Sequence, residues 1–227
     1  MTIDDYFGDW SKVLDLKEAD RLMRYLSASS YIICPEPKNI FKAFRLCSLH
    51  NLRVVILGMD PFNNLRNNRP VATGIAFANS PDTPETFYSP SLEVLRESVI
   101  DFTKPHGITT FDVSLEEWEK QGVLLLNSAL SCIAGKPDSH TLLWRPFMKS
   151  LLTNLSVYAP GTIYVLMGST AESYEPYIDK KLNHILKSRH PAWYARTHTR
   201  MPSDIWREVN NILFGQTGQK IEWYTEY

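Results

Sequence analysis

Four short apolar runs constrain the fold of this chain more than any other feature: Val54-Val55-Ile56-Leu57, Gly74-Ile75-Ala76-Phe77, Val123-Leu124-Leu125-Leu126 and Ile163-Tyr164-Val165-Leu166. None alternates apolar with polar residues, so each reads as a strand covered on both faces. Between them lie amphipathic stretches over 18–28, 38–48, 91–103, 142–158, 169–181 and 202–214. Asp138-Ser139 and Pro202-Ser203-Asp204 stand where helices should start. Strands alternating with helices imply a parallel sheet with helices on both sides. No repeat or long linker interrupts the pattern, and the 227 residues are expected to form one domain, 1–227.

Composition narrows the class. Hydrophobic residues at 44% and charged residues at 22% exclude a disordered or fibrous chain. No run approaches the roughly 18 apolar residues of a membrane span. Met1 to Trp10 carries acidic residues and no Lys or Arg, which suits neither a secretory nor a transit peptide. Cys34, Cys47 and Cys132 are scattered and form no CxxC pair. That excludes a zinc ribbon or a four-cysteine cluster and favours a reducing compartment. The expected location is the cytoplasm, or the nucleus for a eukaryotic or viral source, and not the exterior.

The net charge of −1 argues against a protein that coats nucleic acid. Its distribution differs: Lys180, Lys181, Lys187, Arg189, Arg196, Arg200 and Arg207 face only Asp204 between residues 180 and 207. Such a strip suits a polyanion touching one face, and equally suits a solvated surface.

In parallel sheets, ligand sites gather beyond the carboxyl ends of the strands. There the chain places Gly58-Met59-Asp60-Pro61-Phe62-Asn63, Asn127-Ser128 and Gly168-Ser169. A shorter stretch, His184-Ile185-Leu186-Lys187, leads to Arg189-His190-Pro191. GxGxxG, P-loop, HExxH and GxSxG patterns are all missing, which leaves nucleotide cofactors, zinc proteolysis and serine hydrolysis unsupported.

Five blocks, in order, resemble the family-1 uracil-DNA glycosylases. Residues 54–62, ending Gly58-Met59-Asp60-Pro61-Phe62, are similar to the family's water-activating motif, usually GQDPYH. Gly74-Ile75-Ala76-Phe77 resembles its base-stacking segment and Gly122 to Asn127 its uracil-reading strand. Gly168-Ser169 resembles its phosphate-pinching loop, and His190-Pro191-Ala192 the HPS motif that opens its intercalation loop. Ile33 to Arg45 and Ile221-Glu222-Trp223 also resemble members, so the likeness runs nearly end to end, to a divergent member of viral or phage type. It implies an α/β fold with a central four-stranded parallel twisted sheet flanked by helices. It also implies a monomer that hydrolyses the glycosidic bond of deoxyuridine in single- or double-stranded DNA after flipping the nucleotide out. No metal or cofactor is implied. A protein inhibitor or replication partner is compatible with the family.

The chemistry fits residue by residue. Breaking the bond creates a cationic sugar and an anionic uracil. Asp60 would orient water and stabilise the cation; the bland alternative is a turn or helix-cap Asp before Pro61. A neutral His190 would donate to uracil O2; alternatively it is a surface His in a basic loop. Asn127 would match uracil O4 and N3 and reject cytosine, unless it merely ends a strand. Phe77 would stack on the base, Phe62 would exclude the thymine methyl, and Met59 would line the site through its backbone. Ser89, Ser91, Gly168 and Ser169 would hold phosphates, or cap helices. Arg189 and Arg196 would contact DNA, and Trp193 or Tyr194 would wedge into the stack where the family uses Leu, unless they pack on the protein itself.

The departures are Met59, Phe62 and Asn63 for Gln, Tyr and His, and Ala192 and Ala195 where Ser is usual. The stretch from Asn64 to Thr73 is also about four residues longer than usual and carries Arg66 and Arg69. These predict weaker or slower action. They also keep two alternatives open: a glycosylase for another modified pyrimidine, and a non-enzymatic DNA-binding or replication-scaffold protein. Joint retention of Asp60, Asn127 and His190 argues for an enzyme.

Overall fold

A computed structural model describes residues 3–100 and 107–227. Strands β1 (Val54–Gly58), β2 (Val123–Asn127), β3 (Ile163–Met167) and β4 (His184–Ser188) form one parallel sheet in the order β2-β1-β3-β4. Successive side chains of a strand point to opposite faces, and the two faces meet two separate cores. Val55, Leu57, Leu124, Leu126, Tyr164 and Leu166 pack with Leu22, Leu26, Phe147 and Leu151. Val54, Ile56, Val123, Leu125, Ile163 and Val165 pack with Leu92, Leu95, Trp118, Trp206 and Val209. The apolar runs are continuous because neither face sees water. In β4, at the edge, Ile185 and Leu186 serve the two cores while His184 and Lys187 are exposed.

Helices cover both faces: α1 (Leu16–Ser27), α2 (Pro90–Val99), α3 (Glu116–Lys120), α4 (Thr141–Tyr158), α5 (Pro191–Thr197) and α6 (Asp204–Thr217). Asp15 caps α1 by accepting from the Glu18 N–H at 3.0 Å. The stretch expected as a helix over 38–48 divides into a tight turn at Pro37–Asn39 and a short helix at Lys42–Leu46. The one over 169–181 keeps helical form only at Ser169–Glu172 and Glu175–Tyr177. In the stretch over 91–103, residues 101–103 lie outside the described residues. No described helix is long and apolar enough to cross a membrane.

One expected strand is not a strand. Gly74 to Phe77 crosses the outer edge of β2, where the Ala76 N–H donates to the Leu125 carbonyl at 3.2 Å. Glu119 of α3 accepts the Leu125 N–H at 3.0 Å. The free edge of β2 is thereby satisfied at Leu125 by one backbone amide and one carboxyl group, and no further strand is added. Phe77 turns into the left-handed region at φ +68°, which an extended strand cannot include. Burial alone made this run look like the others.

The strand order reverses at β1, so connections leave it in both directions and a crevice opens beyond its carboxyl end.

Candidate active site

Beyond those carboxyl ends lies a cleft of about 750 Å³. It is lined by Met59, Asp60, Phe62, Phe77, Ser89, Ser91, Asn127, Gly168, Ser169, Arg189, His190, Trp193 and Arg196. Among the predicted site residues only Tyr194 is missing from its walls. That side chain faces away, towards Leu186 and Ile205. Neighbouring helical residues point roughly 100° apart, so α5 aims Trp193 into the cleft and Tyr194 onto the core.

Asp60 lies two residues beyond β1. Its carboxylate accepts the Asp138 N–H at 2.8 Å, and burial raises its pKa above the usual carboxylate value, with the nearby Asp138 charge adding to the effect. Asp138, at φ +61°, is a partner that sequence reading missed. It lies 78 positions away, and its spacing signalled only a helix start. Met59 turns its carbonyl to the Ala129 N–H at 3.0 Å, and Asn63 accepts from Gly135 at 2.7 Å. The loop is thus held by its backbone, which leaves its side chains to the cleft.

Asn127 ends β2 and is buried, yet its amide makes no hydrogen bond among the described residues. Gly58 lies opposite it in the ladder. A Cβ on Gly58 would come within 2.6 Å of Asn127 Oδ1 and 2.7 Å of Phe77 Cζ, so the glycine allows the amide and the ring to meet. Phe77 also tilts against the His190 ring, centroids 5.6 Å apart.

His190 follows β4 and caps α5. Its Nδ1 accepts the Ala192 N–H at 3.1 Å. An acceptor nitrogen carries no proton, so the neutral ring holds its hydrogen on Nε2. Burial, with the Arg196 charge second, lowers its pKa to about 4. Gly168, at φ +88°, sits so close that a Cβ there would lie 2.9 Å from His190 Cβ. The intercalation loop expected after His190 is helical over Pro191–Thr197, with proline at its first position.

The phosphate candidates divide. Ser169 is exposed on the rim. Ser89 spends both its N–H and its hydroxyl on Asn79 Oδ1, each at 2.9 Å, which leaves it no donor for a phosphate. Asn79, fully buried, is an anchor that no local sequence signal singles out. The basic strip also divides. Lys180 and Lys187 both pair with Glu175, Arg207 pairs with Asp204, and Arg200 reaches the Ile100 carbonyl. Arg189 and Arg196 remain at the cleft, and the Arg189 guanidinium lies 4.1 Å over the Trp193 ring. Among the described residues no group of three His, Cys, Asp or Glu side chains could hold a metal ion.

The likeness to known proteins covers this same region. The family model of the uracil DNA glycosylase superfamily matches residues 44–214. Uracil-DNA glycosylases of Yersinia pestis (strain Pestoides F) and Yersinia pseudotuberculosis (serotype O:1b, strain IP 31758) are 35% identical over 197 residues. That is 84% of this chain and 81% of each relative. Among solved structures, mimivirus uracil-DNA glycosylase superposes with a TM-score of 0.74 at 22% identity, covering 96% of this chain and 90% of that one. The enzyme from Nitratifractor salsuginis gives 0.59 at 19% identity, covering 88% and 91%. The fold is therefore one shared across distant sequences, and the family match extends over the strands and loops that build the cleft: this chain belongs to the uracil-DNA glycosylase superfamily.

Proposed function

We propose that the protein hydrolyses the N-glycosidic bond of deoxyuridine in DNA, releasing uracil and leaving an abasic site. The observation that carries this reading is the meeting of Asp60, Asn127 and a neutral His190 in one cleft. A flipped uracil stacks on Phe77, with its C5 edge against Phe62. Asn127 donates its NH₂ to uracil O4 and accepts from N3–H. As the C1′–N1 bond breaks, its electron pair leaves on the uracil, and His190 Nε2–H donates to O2. The Asp60 carboxylate holds water below the sugar, opposes the growing positive charge and takes the proton as water oxygen bonds to C1′. Each step is assigned to a side chain of this chain, so chelation should leave the activity intact.

The DNA strand runs past Ser91 and Ser169, with Arg189 and Arg196 on its phosphates and Trp193 entering the stack. Ser91 contributes its own backbone N–H in the first turn of α2, since Pro90 has none and those of Leu92 and Glu93 are donated to the Ser89 carbonyl. Both single- and double-stranded DNA suit this surface. Solved complexes of the mimivirus enzyme with UGI support a protein inhibitor as a further class of partner.

The test is release of uracil from a uracil-containing oligonucleotide, read on a gel after alkaline cleavage, with Asp60→Asn and His190→Ala as comparisons. Strand cleavage by the parental protein that both variants lose supports the reading. Absence of cleavage with the parental protein on single and double strands overturns it.

A further inference from the structure

The segment that departs most from the family pattern forms a hairpin. Leu65–Arg66 pairs antiparallel with Arg69–Pro70, and the Val71 N–H donates to the Asn64 carbonyl at 3.1 Å. Asn67 and Asn68 make the turn at φ +50° and +61°. Two consecutive residues at positive φ define the tight turn whose twist matches that of the strands, and Asn is among the few residues that tolerate it. The element is a specified structure, and a long slack loop would not need this turn chemistry.

Two features of the hairpin point outward to an anion. Arg66 and Arg69 stand directly opposite one another in the register, an arrangement of like charges that destabilises a strand pair. Arg69 acts electrostatically on Glu36, whereas Arg66 forms no ion pair or hydrogen bond among the described residues. Instead its guanidinium lies over the ring of Phe87, 4.6 Å from the centroid. Glu85, the acid on the same turn as Phe87, is already paired with Arg96 at 2.8 Å.

Phe87 is 61% exposed, and it lines the same cleft as Asp60. Stacking fixes the plane of a guanidinium and leaves its N–H groups free at the edge, the geometry that recognises a phosphate bidentately. The cleft rim therefore carries two arginine-on-aromatic stacks, Arg189 on Trp193 and Arg66 on Phe87. The first belongs to the loop expected to meet DNA. The second has no counterpart in the recognised motifs.

We infer that the hairpin from Asn64 to Val71 is a second DNA-gripping element, in which Arg66, held over the ring of Phe87, contacts a backbone phosphate of the strand entering the cleft. The inference rests on the proposed action on DNA. The contact supplies charge on the loop that carries Asp60, where Asn63 cannot.

The test compares the parental protein with Arg66→Ala, Arg66→Lys and Phe87→Ala. Binding of a uracil-free oligonucleotide, single-stranded and duplex, is titrated by fluorescence anisotropy between about 50 and 200 mM salt. Uracil release at saturating substrate is measured in parallel. Loss of one phosphate contact flattens the slope of log K against log salt by about 0.9 on duplex and about 0.7 on single strands. Arg66→Ala should show that change with kcat unaltered. Arg66→Lys keeps the charge and should keep the slope, which separates lost contact from misfolding. Phe87→Ala frees the guanidinium and should weaken binding several-fold. An unchanged slope in Arg66→Ala, or a loss that Arg66→Lys does not restore, overturns the inference. If the parental protein releases no uracil while Arg66→Ala still flattens the slope, the glycosylase reading fails and the gripping role stands.

Discussion

Gly58→Ala tests the pocket with one carbon atom. Gly58 is the last residue of β1, and the added Cβ would stand 2.6 Å from Asn127 Oδ1 and 2.7 Å from Phe77 Cζ. Ordinary contact begins at 3.4 Å, so the amide must retreat by about 0.8 Å and the ring by about 0.7 Å. The amide ends a short side chain facing the cleft and can swing away at little cost to the fold. The Phe77 ring is buried and its backbone is held at φ +68°, so its shift is harder. Overpacking of this kind costs about 1–3 kcal/mol of stability. The effect on the reaction should be larger, because misplacing positioning groups by about 1 Å costs on the order of 100-fold in rate. Single-turnover uracil release should therefore fall by about two orders of magnitude. Inhibition by free uracil should weaken in parallel, since the base reader and the stacking ring both move. Gly215→Ala, where a Cβ meets nothing within 4 Å, serves as the control and should gain about 0.5–1 kcal/mol from its helical position. A Gly58→Ala protein with the parental rate and parental inhibition by uracil would refute the assignment of Asn127 and Phe77 to the base pocket.

The remaining expectations concern charge and specificity. His190 binds its proton in the folded state only near pH 4, against about 6.5 when unfolded, so its contribution to stability is complete above pH 6.5. That contribution is lost as pH falls towards 4, up to about 3 kcal/mol, and His190→Gln should flatten the fall in melting temperature over that window. The acid limb of kcat/KM should accordingly lie below pH 6.5; a limb centred at 6.5 would contradict a neutral, half-buried His190. Burial raises the Asp60 pKa, so the ionised form costs stability at neutral pH. Asp60→Asn should melt slightly higher than the parent at pH 7 while losing at least about 100-fold in rate. Asn127→Asp should release cytosine and Phe62→Ala should release thymine at low but measurable rates; no new release in overnight reactions would remove those residues from the pocket walls.

The runs at Val54, Val123 and Ile163 were legible as strands because a sheet covered on both faces needs no charged or amide side chain for four residues at a time. The same logic located Asp60, Asn127 and His190, since a parallel sheet directs its loops, and so its chemistry, to the carboxyl ends of the strands. Burial is a weaker guide to backbone shape. Gly74 to Phe77 is as apolar as the true strands, but it crosses the edge of β2, where Ala76 satisfies the carbonyl of Leu125. Which of Trp193 and Tyr194 reaches the cleft depended on the turn of a helix that begins only because His190 and Pro191 cap it. The proton on His190 Nε2 follows from a backbone amide two residues on, and the carboxylate of Asp60 is held from Asp138, far away in the chain. The stack of Arg66 on Phe87 joins a hairpin to a turn on another segment. Local sequence determines which residues can be buried and which can react. Which partner each polar group finds, and which face of a turn meets the cleft, is decided by non-local contacts that exist only once the sheet has brought its four ends together.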